Sequence, residues 1–154
     1  MIKGTLCYIV TEGKILLIRK KTGLGEGKFN GPGGKIEDGE TAKSAAVREF
    51  VEETGIMPLN PEHAGTVAFY FGQRDKPDWL VHIFKATHFK GEPVNTEEAE
   101  PQWFGLDAIP YSQMWPDDRV WMPLMLAGKK FMGKFYFDQK GEDMKEHEII
   151  AVEA

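Results

Sequence analysis

The sequence predicts an α+β fold built on a central mixed β-sheet. Three observations carry that expectation. Short runs of β-forming residues recur along the chain, helical stretches are few, and the two are mixed without the regular alternation of a parallel βαβ sheet. The 154 residues, 42% hydrophobic and 28% charged, suit one globular domain over residues 1–154 with a sizeable core.

The elements follow in chain order. Leu6–Val10 and Ile15–Ile18 are apolar runs flanking Thr11-Glu12-Gly13-Lys14, the pattern of a β-hairpin. Arg19-Lys20-Lys21 leads into a loop with Gly23, Gly25 and Gly27. These bases are either a solvated strand end or a group from which Lys20 reaches a substrate phosphate. Phe29-Asn30 precedes Gly31-Pro32-Gly33-Gly34, a turn whose backbone can come close to a bound phosphate or metal. A helix follows, with Thr41 as N-cap, Ala42, Ala45 and Ala46 as helix formers, Phe50 and Val51 as apolar anchors, and Gly55 as left-handed C-terminal cap. Gly65–Gly72 and Trp79–Phe89 are rich in β-formers, with Arg74–Asp78 as the hairpin loop between them. Gly91–Pro101, acidic through Glu97, Glu98 and Glu100, reads as a loop. Trp103-Phe104 reads as a short strand and Leu106–Pro110 as a turn or short helix. Arg119–Gly128 reads as a helix packed on the sheet, with Pro123 in or near its first turn. Phe131–Phe137 and Glu148–Val152 read as the final strands.

Composition narrows the function. A net charge of -5 argues against a binder of long nucleic acid, which presents a basic surface. The single cysteine, Cys7, permits no internal disulfide and suits a reducing compartment. It reads as a small core residue of a strand. The N-terminal apolar run is too short for a signal peptide, and no stretch approaches the length of a membrane span. A cytoplasmic monomer with no membrane partner is expected. His63, His82, His88 and His147 show no metal-ligand spacing and read as structural or exposed.

The chemistry concentrates between Gly34 and Ile56. Glu49, Glu52 and Glu53 stand at i, i+3 and i+4, on one face of the helix. Like charges so placed repel, and a divalent cation relieves that repulsion because hard cations take carboxylate oxygens. The competing account is a solvated acidic helix face.

Gly34, Glu40, Arg48-Glu49, Glu52-Glu53 and Gly55-Ile56, at these spacings, resemble the complete Nudix box. Phe50 stands where the pattern has an aliphatic residue. The resemblance implies an α/β/α sandwich with a central mixed sheet and a Mg²⁺-dependent (or Mn²⁺-dependent) hydrolysis of a nucleoside diphosphate derivative. Glu49, Glu52, Glu53 and the Gly33 carbonyl would hold the metal, which neutralises phosphate charge and makes a water more acidic. Glu52 or Glu53 would take the proton of the attacking water, and Glu98 would add a ligand or base. Arg48 would pair with Glu40 to fix the loop on the helix, with Gly34 and Gly55 as structural positions.

A looser likeness covers nearly the whole chain. Phe29-Asn30-Gly31 and Met114-Trp115-Pro116-Asp117-Asp118 resemble the branch of that family that hydrolyses oxidised purine nucleoside triphosphates such as 8-oxo-dGTP. This implies a pocket in which Asn30, Asp117 and Asp118 read the purine edge and Trp115 lies on its face, with Thr5 and Lys20 lining it and Lys35 among the substrate-binding residues. The residue types suit those roles. An amide offers donors and an acceptor, and an indole stacks on a purine. Oxidation at C8 turns N7 into a donor that a carboxylate can accept. Two adjacent acids repel, so one holds a proton and the pair can both donate and accept. The structural alternative buries the Trp115-Pro116 turn in the core and uses Asp117-Asp118 to cap the following helix. Leu24, Ala99 and Pro32 depart from that branch, the first two near the base. Dinucleotide polyphosphates, nucleotide sugars and RNA 5′ ends are the other substrates the box admits. A non-catalytic nucleotide-binding module is the reading from a different class.

Overall fold

A computed structural model of the chain describes residues 1–23, 25–72 and 74–152. Strands β1 (Ile2–Thr11) and β2 (Lys14–Lys20) form the expected antiparallel hairpin. Its turn is Glu12-Gly13, with φ of 50° and 75°, the positive-φ pair whose twist matches the flanking strands. Strand β3 (Phe29–Asn30) pairs with β2, and β4 (Gly33–Lys35) pairs antiparallel with β1. The second half of the glycine-rich turn is therefore strand, held by ladder bonds rather than free.

Helix α1 (Ala42–Thr54) begins with a reciprocal cap: Ser44 N–H donates to Thr41 Oγ1 at 3.1 Å, and Thr41 N–H to Ser44 Oγ at 3.1 Å. It ends at Gly55, φ 78°, whose N–H donates to the Val51 carbonyl at 2.9 Å. Strand β5 (Met57–Leu59) follows, then β6 (Glu62–Phe71), β7 (Trp79–Ala86) and β8 (His88–Lys90). The β-rich run Trp79–Phe89 thus splits at Thr87: β7 stays in the main sheet, and β8 pairs with β5 in a separate two-stranded sheet. Strand β9 (Ala99–Gly105) takes in Ala99–Pro101, expected as loop, because it pairs along β2 as far as Lys20. Helix α2 (Asp118–Leu126) carries Pro123 in its second turn rather than its first. Strands β10 (Lys130–Phe137) and β11 (Met144–Val152) close the fold, β11 starting earlier than its apolar tail suggests.

The main sheet runs β11-β10-β6-β7-β1-β2-β3, with β4 beside β1 and β9 beside β2. The pairs β1–β7 and β6–β10 are parallel and the others antiparallel, so the sheet is mixed. Alternation along β1 sorts the two cores. Cys7 and Ile9 face α1, where Phe50, Ile56 and Phe84 complete one cluster. Tyr8 faces the opposite side, where Trp121 and Met125 of α2 join Val67, Phe131 and Phe135. One helix lies on each side of the sheet, the sandwich expected.

Candidate active site

The first part of the site lies where β4 meets α1. The Gly34 backbone runs so close to the helix that an added Cβ would stand 2.6 Å from the Glu49 carboxyl carbon. Next to it, the Gly33 N–H donates to Glu53 Oε2 at 3.1 Å. Gly33 therefore meets the acidic cluster through its N–H. Arg48 grips Glu40 with both arms of its guanidinium, Nε to Oε2 at 2.8 Å and Nη2 to Oε1 at 2.9 Å. It also donates to Glu49 Oε1 at 2.9 Å and to the Lys35 carbonyl at 3.2 Å. One arginine thus ties loop, β4 and α1 together. The Arg48 bond, with help from the Glu37 N–H, holds the Glu40 carboxyl down at about 2.

Burial sets the character of the others. Glu53 is 7% exposed. Burial pushes its carboxyl up to about 8; the Gly33 N–H and Lys20 oppose, and Glu49 and Glu98 add to the rise. Glu49 is raised by burial too, against the pull of Arg48, with Glu52 and Glu98 repelling it. Glu98 therefore faces the same cluster from its loop, which is pinned to the end of β2 by Lys21 N–H to the Glu98 carbonyl at 2.9 Å. Glu52 is the exposed member, its side chain 58% accessible. Glu49 leans on Arg48 and Glu53 on Gly33, so among the described residues no three acidic groups already share one ligand point. The donor set is nonetheless all hard oxygen, crowded and short of positive charge, which fits a divalent cation.

The second part is a cavity of about 210 Å³ on the α2 side of the sheet. Leu6, Phe69, Phe71, Trp79, Val81 and Phe137 make its apolar walls, and Lys20, Asn30, Trp115, Asp117 and Asp118 its polar rim. Asp117 and Asp118 are 3% and 2% exposed. Trp121 Nε1–H donates to Asp117 Oδ2 at 2.9 Å, while Asp118 Oδ2 has no partner. Burial raises the Asp117 carboxyl to about 6 despite that bond. The Asp118 carboxyl goes well above the carboxylate range, through burial and the charge of Asp117. Asp117, the N-cap residue of α2, makes no side-chain cap bond. Met114, at 3% exposed, is the residue of that turn that enters the core, and Trp115 stays half-buried. The structural alternative for Trp115-Pro116-Asp117-Asp118 does not describe this arrangement. Lys28 Nζ lies 5.4 Å from the Trp115 ring centre, and Gly25 packs against its edge.

Most of the residues singled out from the sequence converge on these two parts, and Lys20 belongs to both. Three do not line the cavity. Thr5 is buried with an unpartnered hydroxyl, but alternation places it on the α1 side with Cys7, away from the cavity lining. Lys35 is exposed on β4, beside the acidic cluster. Ala99 is buried in β9 against Lys20 and is no wall of the cavity. Leu24 lies outside the described residues. The aromatic walls were missed from the sequence, although Phe69 and Phe71 alternate as one strand face requires. His63 and His82 pair at 3.1 Å on the sheet.

The NUDIX domain profile matches residues 2–125. An oxidized purine nucleoside triphosphate hydrolase of Danio rerio is 46% identical over 97% of this chain and 94% of its own length. The protein of the same name from Mus musculus is 44% identical over 88% of this chain and 86% of its own. The crystal structure of a mutator MutT protein from Bacillus halodurans superposes with a TM-score of 0.85 at 26% identity, covering 97% of both chains.

Proposed function

Because the chain belongs to the NUDIX family, we propose that it is a divalent-metal-dependent pyrophosphohydrolase of oxidised purine nucleoside triphosphates, 8-oxo-dGTP foremost. One observation carries the reading: two adjacent buried acids stand at an apolar cavity whose rim, through Lys20, reaches the buried glutamate cluster. A base would sit between Trp115 and the aromatic walls, with its polar edge on Asn30, Asp117 and Asp118. Its triphosphate would run past Lys20 toward β4. The names of the zebrafish and mouse relatives support that substrate class.

The glutamates of α1 and Glu98 would hold Mg²⁺ or Mn²⁺, which when bound supplies charge neutralisation of the phosphates and a more acidic water. Arg48 keeps Glu49 and Glu40 in place, so that the helix face and the loop form one rigid surface. The water's proton leaves to Glu53, which already holds its charge reluctantly, or to the exposed Glu52 beside it. Attack on phosphorus releases a monophosphate and pyrophosphate. The unit is a single domain over residues 1–154, monomeric and cytoplasmic, acting in nucleotide-pool sanitation. Among the described residues no helix is long and apolar enough to cross a membrane.

The test is the initial rate of pyrophosphate release from 8-oxo-dGTP and from dGTP with Mg²⁺. A preference of at least tenfold for the oxidised base is expected. Equal rates would leave the hydrolysis standing and overturn the base assignment. No release from either would move the reading to dinucleotides, nucleotide sugars or RNA ends, and tight binding without turnover to a binding module.

A further inference from the structure

Tyr8 is fully buried, in the middle of β1, and its hydroxyl has no hydrogen-bond partner. An enclosed, unpartnered hydroxyl is costly, so its place in the core calls for a reason. Its surroundings supply one. Tyr8 lies two residues from the cavity wall Leu6, on the same face of the strand. Its ring meets Trp121 edge-on, centres 5.6 Å apart, and Trp121 is the donor to Asp117. Its hydroxyl presses on Gly31, where an added Cβ would stand 2.6 Å from the oxygen. Gly31 N–H in turn donates to Asn30 Oδ1 at 2.9 Å. The hydroxyl therefore sits between the anchors of the base-reading side chains. A second enclosed and unpartnered oxygen, Asp118 Oδ2, lies in the same region.

We propose that Tyr8 is a positioning residue: its hydroxyl donates through one buried water to Asp118 Oδ2, so that the proton of the Asp117–Asp118 pair sits on Asp118 Oδ1. Trp121 meanwhile keeps Asp117 as the acceptor. One acid then donates and its neighbour accepts, in fixed places. This rests on the base pocket proposed above and adds to it the residue that orders its proton. Burial, then the charges of Asp118 and Asp117, raise the Tyr8 phenol; the Gly31 N–H, near the phenol oxygen, opposes them, and Cys7 adds the smallest rise, so what the hydroxyl lacks is an acceptor for its own proton. Tyr111, beside α2, is also raised by burial and Asp118. Lys20 is the cation on the cavity lining, and Lys28 lies over the ring of Trp115.

The test is Tyr8→Phe in the full chain, with Asp118→Asn alongside. Tyr8→Phe is expected to fold, to raise KM for 8-oxo-dGTP about tenfold with kcat within twofold, and to shift the pH limb of kcat/KM that reports the acid pair. Asp118→Asn is expected to cost more and to abolish that limb. A pH limb unmoved by Tyr8→Phe but moved by Asp118→Asn overturns the role of Tyr8 alone. A limb and KM indifferent to Asp118→Asn overturn the base pocket itself. In the wild-type chain, the Tyr8 hydroxyl proton should appear in NMR spectra as a slowly exchanging, downfield signal that follows the titration of Asp118. A signal that ignores Asp118 overturns the proposal even if Tyr8→Phe does not fold.

Discussion

The α1 cluster and the Asp117-Asp118 pair meet the same difficulty, crowded buried acids, in opposite ways. On α1 the carboxylates are met by Arg48, the Gly33 N–H and Lys20, and Glu52 opens to solvent. That cluster is equipped to trade protons for a cation. At the cavity, among the described residues, the Trp121 indole N–H is the side-chain donor to the pair, backbone groups help less, and both acids are almost wholly enclosed. That pair is equipped to keep a proton. The difference teaches that burial raises the acids of both regions, and that their neighbours distinguish them: donors and solvent around one set, near-complete enclosure around the other.

The strongest way to break the comparison is Glu53→Gln. Turnover of every substrate should fall by about 10²–10⁴-fold with the fold intact by circular dichroism; retention of more than a tenth of the wild-type kcat would remove Glu53 from the chemistry. Next is Trp115→Ala, which should raise KM for 8-oxo-dGTP by about 10- to 100-fold, the worth of a stacked base, and leave kcat nearly unchanged. A fall in kcat alone would dissolve the division between the two regions.

Stability against pH sets Asp117 against Glu40, which slope in opposite directions, while the buried Glu53 and Glu49 of α1, raised by burial, slope with Asp117. Asp117 binds its proton more tightly folded than unfolded, about 6 against 3.8. Its contribution is therefore full below about pH 4 and lost as pH rises through about 6. Urea denaturation of Asp117→Asn should lack that loss, and a wild-type-like slope would count against the buried acid. Glu40 is the mirror image, about 2 against 4.5, so its contribution is full above pH 4.5 and lost as pH falls through about 2. The smallest effect expected is that of Arg48→Lys, which cannot form the two-armed bond and should move the acid unfolding midpoint upward. An unchanged midpoint would mean the Arg48–Glu40 pair is not what holds Glu40 ionised.

How much of this was legible in the sequence follows the same division. Thr41, Gly55 and the glutamate spacing act within one helix, so their roles are local and readable without a fold. The cavity is built from β1, β2, β3, β6, β7, β10 and the start of α2 with the turn before it, which only the sheet order brings together. Asp117 and Asp118 are reached through the family likeness, since on residue types alone two adjacent acids before a helix read more readily as a cap. That Thr5 turns toward α1 follows from the register of β1, which the sequence alone does not give. Tyr8 was invisible because a tyrosine in an apolar strand looks like core, and nothing local says that its hydroxyl will be left without a partner.

One wall of the cavity has a wider consequence. Phe137 and Gly141 belong to the β10–β11 hairpin, beyond residues 2–125 where the family profile matches. The cavity lining therefore extends past the matched residues. The same hairpin also carries Phe131 and Phe135, buried in the core against α2, so a change there reaches the cavity and the packing of the sheet together.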